Sequence, residues 1–527
     1  MKKLLNIIVL AAFATFASCD LDKTPDASLP QDEAFDNIET IKFLEKGAYS
    51  RLRSSYTPAS MIVPDIQADY MHAVIGFSNT FGEVYKWTFT HSDYEVADTW
   101  NYLYAGIGQY NYIIDGIEQR LGFTPTEAEA ATLDRIRGNM YLMRAMSYSL
   151  LAERFCADYD AATAKNEYSG VPLVVTYSPE DKPSRATLFD VYDRILKDIA
   201  TAKTLLAGVV GKANSTALNV DCATALEAHV LLQMDNYPEA LKVANSLIGS
   251  PAYALVGSAD ELRQMWTSDK SSEIIFVFYA SSTELPAQFG INMFSDYFNG
   301  QKPYSFITSD YIPTQDCVDA FDAADWRRSA YFIDADYEQT APDGRDYIAY
   351  FSAYGGGTFC GYPSTTVFSK YLNNPNLQTS TSWNYRNAWK PFRLAEIYLI
   401  AAEAAVRSGG DAATPLNTLR EHRGLPALAT VTLDDVKAER YRELMMEGMR
   451  LTDLKRWGDG MTRGKEQTGY LINDDDGKIY QGNSWITPLA EHIEIEAGDY
   501  RFVWPIPSTE IFANQNLANQ QNPGWER

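Results

Sequence analysis

The sequence predicts a mainly α-helical protein: a right-handed stack of about four degenerate helix pairs carrying a large irregular, aromatic-rich lobe and long loops. Three observations predict it. Apolar residues recur at three- and four-residue steps over long segments on both sides of the chain's centre, the signature of amphipathic helices. Small residues stand twelve apart in two of those segments, at Ala228 and Ala240 and again at Ala401 and Ala413. Between those segments, Gly257 to Pro391 shows few helical periods and is too long to be a connector.

In order, the chain opens Met1-Lys2-Lys3, then an apolar run from Leu4 to Phe16, then Ala17-Ser18-Cys19. A short basic region, an apolar run and small residues before a cleavage point define a secretory leader rather than a membrane span. A cysteine directly after those residues makes it the lipoprotein type, so residues 1–18 are read as signal peptide and Cys19 as the lipid attachment. Residues 19–31, with Pro25 and Pro30, form a polar tether.

Residues 32–256 read as an N-terminal helical part with inserted loops. Helices are expected over residues 32–53, 100–121, 126–155 and from 184, with Phe35, Ile38, Ile41, Leu44, Ala48 and Leu52 as the first stripe. In the paired helices of residues 223–248, Asp235-Asn236-Tyr237 makes the turn; in those of 393–423, Gly409-Gly410-Asp411 does. The twelve-residue spacing matches the small positions at which paired helices of tetratricopeptide (TPR-like) repeats touch, and such pairs stack into a right-handed superhelix. Residues 257–391 form the irregular lobe, with a strand-like run from Glu273 to Tyr279. Residues 392–527 bring the last pair, a signature helix and a tail that pack with 32–256 as one domain.

The signature runs from Glu439 to Gly458, E-R-Y-R-E-L-M-M-E-G-M-R-L-T-D-L-K-R-W-G. Tyr441, Leu444, Met445, Gly448, Leu451 and Leu454 form one apolar stripe, predicting a single helix, and Gly448 marks a close approach by another element. Arg440 with Glu443, Glu447 with Arg450, and Arg450 with Asp453 are spaced to pair along that helix. The carboxylates read as structural ion pairs; the competing reading is general acid/base machinery.

This stretch resembles the C-terminal signature of the SusD/RagB family of outer-membrane nutrient-binding lipoproteins. The resemblance extends to Y-x-x-I-x-x-Y-N (Tyr104 to Asn111), R-G-N-M-Y-L-M-R-A-M-S-Y (Arg137 to Tyr148), G-V-P-L-V (Gly170 to Val174) and the ending W-P-I-P-S-T-E-I. Asp20 and Asp22, after the lipidated cysteine, resemble the family's surface-export signals. The resemblance implies a surface-exposed, lipid-anchored protein that binds a nutrient, an oligosaccharide or a peptide, and delivers it to a SusC-like TonB-dependent transporter.

The formal charge of -24 argues against nucleic acid, whose phosphates need a basic face. It leaves the lipid as the link to the outer membrane. Cys156, Cys222, Cys317 and Cys360 lie too far apart for a CxxC motif and read as free thiols. His72, His91, His229, His422 and His492 are scattered without metal-ligand spacing, and Asn473 to Gly477 fits a hairpin turn better than a calcium loop. No catalytic residue, metal or cofactor is expected, although so acidic a chain leaves a lipid-anchored glycoside hydrolase as the rival. A repeat scaffold that binds only proteins is the third reading. Sugars are gripped by aromatic platforms with polar flanks. Two stretches supply that mixture: Asp69, Tyr70, Trp87, Trp100 and Asn101 in one, Phe289, Tyr297 and Tyr304 on the lobe in the other.

Overall fold

The computed structural model describes residues 33–526 apart from 74–78, 288–291, 300–301, 335–337, 341–345, 356–357, 363–365, 372–373, 380–385, 468–469, 474–478 and 482–492. The leader, Cys19 and the tether therefore lie outside the described residues. The amphipathic stripes become helices: α1 (Ile38–Ser55), α2 (Tyr94–Gln119), α3 (Glu127–Phe155), α4 (Leu188–Leu205), α5 (Val220–Gln233), α6 (Tyr237–Ile248), α7 (Leu394–Ser408) and α8 (Ala413–Glu421). Each packs on its neighbour in the chain, so they form four pairs in a stack. That stack runs unbroken across the lobe, because α6 packs directly on α7. Ala228, Ala240 and Ala401 are buried at the helix contacts, and Ala413 is half-buried. The starts are capped as the sequence dictates: Thr126 and Glu129 form a reciprocal capping box on α3.

The motifs outside the signature pin one extended segment. Tyr104 donates to the Pro172 carbonyl at 2.7 Å, and Asn111 donates to Val174 and Thr176. Arg144, buried on α3, holds Asp198 of α4 with two 2.7 Å bonds and reaches Asn111 and Val175. The extended segment from Pro172 to Thr176 is thus stitched to α2 and α3, with Asp198 of α4 fixing Arg144.

The lobe is more regular than its sequence suggests. Strands β1 (Asn292–Asn299), β2 (Lys302–Ser309), β3 (Glu338–Thr340), β4 (Asp346–Gly355) and β5 (Thr358–Tyr362) join β6 (Tyr470–Asn473) and β7 (Ile479–Gln481). The order is β7-β6-β5-β4-β2-β1, with β3 also on β4; β2 and β4 run parallel and the other pairs antiparallel. Two of these strands come from the tail, so the lobe is completed by chain beyond residue 391. β6 and β7 pair antiparallel across 474–478, which lie outside the described residues, as a hairpin requires.

The signature is not one helix. It divides into α9 (Leu433–Glu443) and α10 (Arg450–Trp457), separated by a turn with Met446 at φ 61° and Gly448 at φ 78°. A Cβ on Gly448 would meet the Met61 carbonyl oxygen at 2.5 Å, so the close approach read from this glycine is real. Asp65 ends the first helix's continuation by accepting from the backbone N–H of Gly448 and Arg450.

The expected local ion pairs are replaced by distant ones. Arg393 bonds Glu443 at 2.5 Å and Glu447 through two 2.7 Å contacts. Arg423 joins Glu443 to Glu273, Arg327 links Asp325, Glu439 and Glu443, and Lys370 reaches Glu447 at 2.6 Å. Arg440 turns to Asp453 of α10, and Arg450 clamps Asp69. All members of the Arg393–Glu443–Arg423 centre are buried. Burial alone would raise the Glu443 carboxyl, but Arg423 and Arg393 hold it well below the usual range.

Removing one partner from such a cluster strands buried charge at a cost of about 3–5 kcal/mol. Glu447→Ala, which leaves Arg393 and Lys370 underpaired, is therefore expected to lower the denaturant midpoint sharply. An unchanged midpoint would show that the pairs are not structural.

Candidate functional site

Four of the sequence-selected residues are consumed by packing. Trp87 is 1% exposed, donates its indole N–H to the Gln67 carbonyl at 2.7 Å and meets Phe502 edge-on. Trp100 is likewise 1% exposed, packed edge-on against Phe155 with its N–H toward Glu510. Tyr70 is buried and donates to the Tyr441 carbonyl, while both Asp69 oxygens hold Arg450. Neither indole presents a face on which a sugar could stack, so these residues clamp the first long loop to the signature and tail. Asn101 is exposed on α2. Phe289 lies outside the described residues. Tyr297 and Tyr304 are register partners on β1 and β2, and only their backbone is described.

The structure opens a different aromatic groove, with a volume of about 220 Å³. One wall comes from the end of α1 (Arg53, Ser54) with Tyr56 and Thr57, and from Tyr102 of α2, next to Asn101. The other comes from Phe278, Tyr279 and residues 285–287, with Asn387, Ala388 and Trp389 at the back. Phe289 follows Ala287 by two residues. Tyr279 is 55% exposed and Tyr102 36%. Tyr56 and Phe278 pack at 5.2 Å, and Trp389 stacks on Tyr371 at 5.9 Å, so the less exposed rings of the walls are braced by aromatic neighbours.

This groove is held from two sides. A short antiparallel pairing of Ile274–Phe276 with Phe392–Arg393 continues as Phe278 N–H to the Trp389 carbonyl. Arg53 donates to the Tyr279 carbonyl at 2.9 Å and pairs with Glu284 at 2.8 Å, and Arg386 donates to the Pro286 carbonyl. Asp269 anchors the back through the Ala388 N–H and Lys390. No stripe or alternation marks these residues; Tyr279 at the end of a strand-like run, and Tyr102 beside Asn101, are the faint signals available.

Behind the groove, Tyr56 and Trp389 also line a small inner cavity that reaches Glu153, His229 and Glu396. His229 of α5 bridges Glu153 of α3 at 2.9 Å and Glu396 of α7 at 3.0 Å. Burial works against its charge, yet the two carboxylates push its pKa up to about 10. Among the described residues no group of histidines, cysteines and carboxylates could hold a metal ion, and Cys156, Cys222 and Cys317 are buried free thiols.

With this geometry in view, comparison with known proteins gives a consistent result. A model described as the SusD family matches residues 272–525, and one described as starch-binding, associating with outer membrane, matches residues 21–232. The chain belongs to the SusD family. The starch-binding protein SusD of Bacteroides thetaiotaomicron is 30% identical over 230 residues, 41% of this chain, and the match spans only 36% of that relative's length. Among solved structures, a SusD superfamily protein of B. thetaiotaomicron superposes with a TM-score of 0.71 at 24% identity, covering 92% of this chain and 100% of the other. A SusD-like carbohydrate binding protein of Bacteroides vulgatus gives 0.70 at 18%, covering 92% and 98%. Surface glycan-binding protein A of Bacteroides uniformis gives 0.64 at 19%, covering 92% and 99%. At these identities the superpositions establish the SusD-like fold.

The raised His229 fixes the sign of a pH effect. Its contribution to stability is complete below the unfolded value of about 6.5 and is lost as pH rises toward 10. The urea midpoint of the wild type should therefore fall between pH 6.5 and 10 relative to His229→Gln. Parallel midpoint curves for the two proteins would contradict a charged His229.

Proposed function

We propose that this SusD-family protein is anchored in the outer membrane through a lipid on Cys19, captures an oligosaccharide at the cell surface and passes it to a SusC-like TonB-dependent transporter. The observation that carries the binding step is the groove that the open rings of Tyr279 and Tyr102 line together with Tyr56, Phe278 and Trp389, with Ser54 and Thr57 beside them. Pyranose rings present apolar C–H faces and polar rims, so flat rings with hydroxyl neighbours match them. The names of the relatives, a starch-binding and a glycan-binding protein, support the same ligand class. The family description places its members in association with the outer membrane, and the lipid would confine this chain beside its transporter, raising the effective concentration of one for the other.

The hydrolase reading loses support from the signature. A glycosidase needs a carboxylic acid that is protonated near neutral pH. Glu443 is held well below the usual range and Glu439 down to about 2, each against burial, by arginine partners. Both are kept as carboxylates by those partners, the opposite of the shift a proton donor needs.

Tyr279→Ala should weaken oligosaccharide binding about tenfold, corresponding to one stacking contact of 1–2 kcal/mol, with thermal stability intact. Calorimetry against plant, microbial and host oligosaccharides checks this, and wild-type affinity in the variant would move the site elsewhere. Separately, Cys19→Ala should shift the protein out of the detergent phase on partitioning; retention there would defeat the lipid anchor.

A further inference from the structure

We infer that the groove selects uncharged oligosaccharides and discriminates against uronate-bearing or sulfated ones. This deepens the carbohydrate reading and rests on it. Recognition of a carboxylate or sulfate needs a cation free to form charge-assisted bonds, most effectively a bidentate arginine. Among the described residues that line the groove, Arg53 is the sole cation, and its charge is already paired through Nη1 with Glu284. Nη1 lies 2.8 Å from a Glu284 oxygen and donates to the Tyr279 carbonyl at 2.9 Å. Lys390, adjoining Trp389, is likewise held by Asp269 at 2.6 Å.

The Arg53–Glu284 contact is exposed, and such pairs are individually weak. Displacing Glu284 nevertheless exchanges one carboxylate for another on the same arginine. It also leaves the Glu284 charge, 49% exposed at the rim, beside the incoming anion. The chain's formal charge of -24 adds long-range repulsion for any polyanion approaching the surface. A neutral sugar meets none of these costs and gains the full stacking on Tyr279 and Tyr102. Arg53 is accordingly a positioning residue: it fixes the 279–284 segment so that Tyr279 faces the groove.

The test is an oligosaccharide array in which every acidic member has a neutral counterpart. Suitable pairs are galacturono-oligosaccharides with their methyl esters, xylo-oligosaccharides with and without glucuronic acid, and sulfated with desulfated host glycans, alongside malto-oligosaccharides. For any pair that binds, calorimetry at low ionic strength should show the neutral form at least tenfold tighter. That gap should narrow with added salt, which screens exposed charge, and in Glu284→Gln. Equal or tighter binding of the acidic form overturns the selectivity while leaving the carbohydrate reading in place. Neutral preference that survives unchanged in both high salt and Glu284→Gln puts selection outside this groove and also overturns it. Failure of the wild type to bind any member of the array overturns the carbohydrate reading itself.

Discussion

The structure depends on one buried electrostatic knot. Glu443, at the end of α9, and Glu447, within the α9–α10 turn, share Arg393 at the entry to α7, and Arg423 and Lys370 close the knot onto Glu273 and the edge of the lobe. Burying this many charges is favourable only when every member keeps its partners, because desolvation of each ion is costly. The arrangement is therefore all-or-none. It ties together segments that are far apart in sequence and would otherwise meet only through apolar packing, which tolerates slippage more readily.

The knot also builds the candidate site. Glu273 and Arg393 stand at the ends of the short strands Ile274–Phe276 and Phe392–Arg393, and the chain leaving that pairing supplies Phe278 and Tyr279 on one side and Trp389 on the other. Ion pairing thus fixes the register that sets the groove's aromatic walls. On the opposite face, the end of α1 contributes Arg53 and Tyr56, so the ligand surface spans the junction between the first helix of the stack and the lobe. The open rings need this rigidity, since stacking is lost if a platform moves by a fraction of its width.

Much of the scaffold was legible because helix stripes and the alanine spacing are local signals. The paired helices α5 and α6, with Asp235 and Asn236 between them, fall where the period changes. The signature was misread as one helix because its apolar stripe continues through Gly448, while the interruption is imposed by Asp65, 383 residues away in sequence. The same non-locality hid the ion pairs: i, i+3 spacing suggested Glu447 with Arg450, whereas Arg393 and Lys370 compete for Glu447 from deep inside the fold and Asp69 takes Arg450. Trp87 and Trp100 looked like ligand platforms because they stand among loop residues, but Phe502 and Phe155 arrive from distant segments to bury them. Composition cannot tell a buried ring from an open one. Tyr279 and Trp389 became visible as a pair only when two strands 116 residues apart were brought side by side.

The most direct measurement of the central claim is amide hydrogen exchange with and without a bound oligosaccharide chosen from the array by affinity. Protection confined to residues 53–57, 278–287 and 386–389, with the segment around Trp87 unchanged, is the result expected if the groove is the ligand site. Protection absent from these segments and concentrated elsewhere on the chain would contradict it.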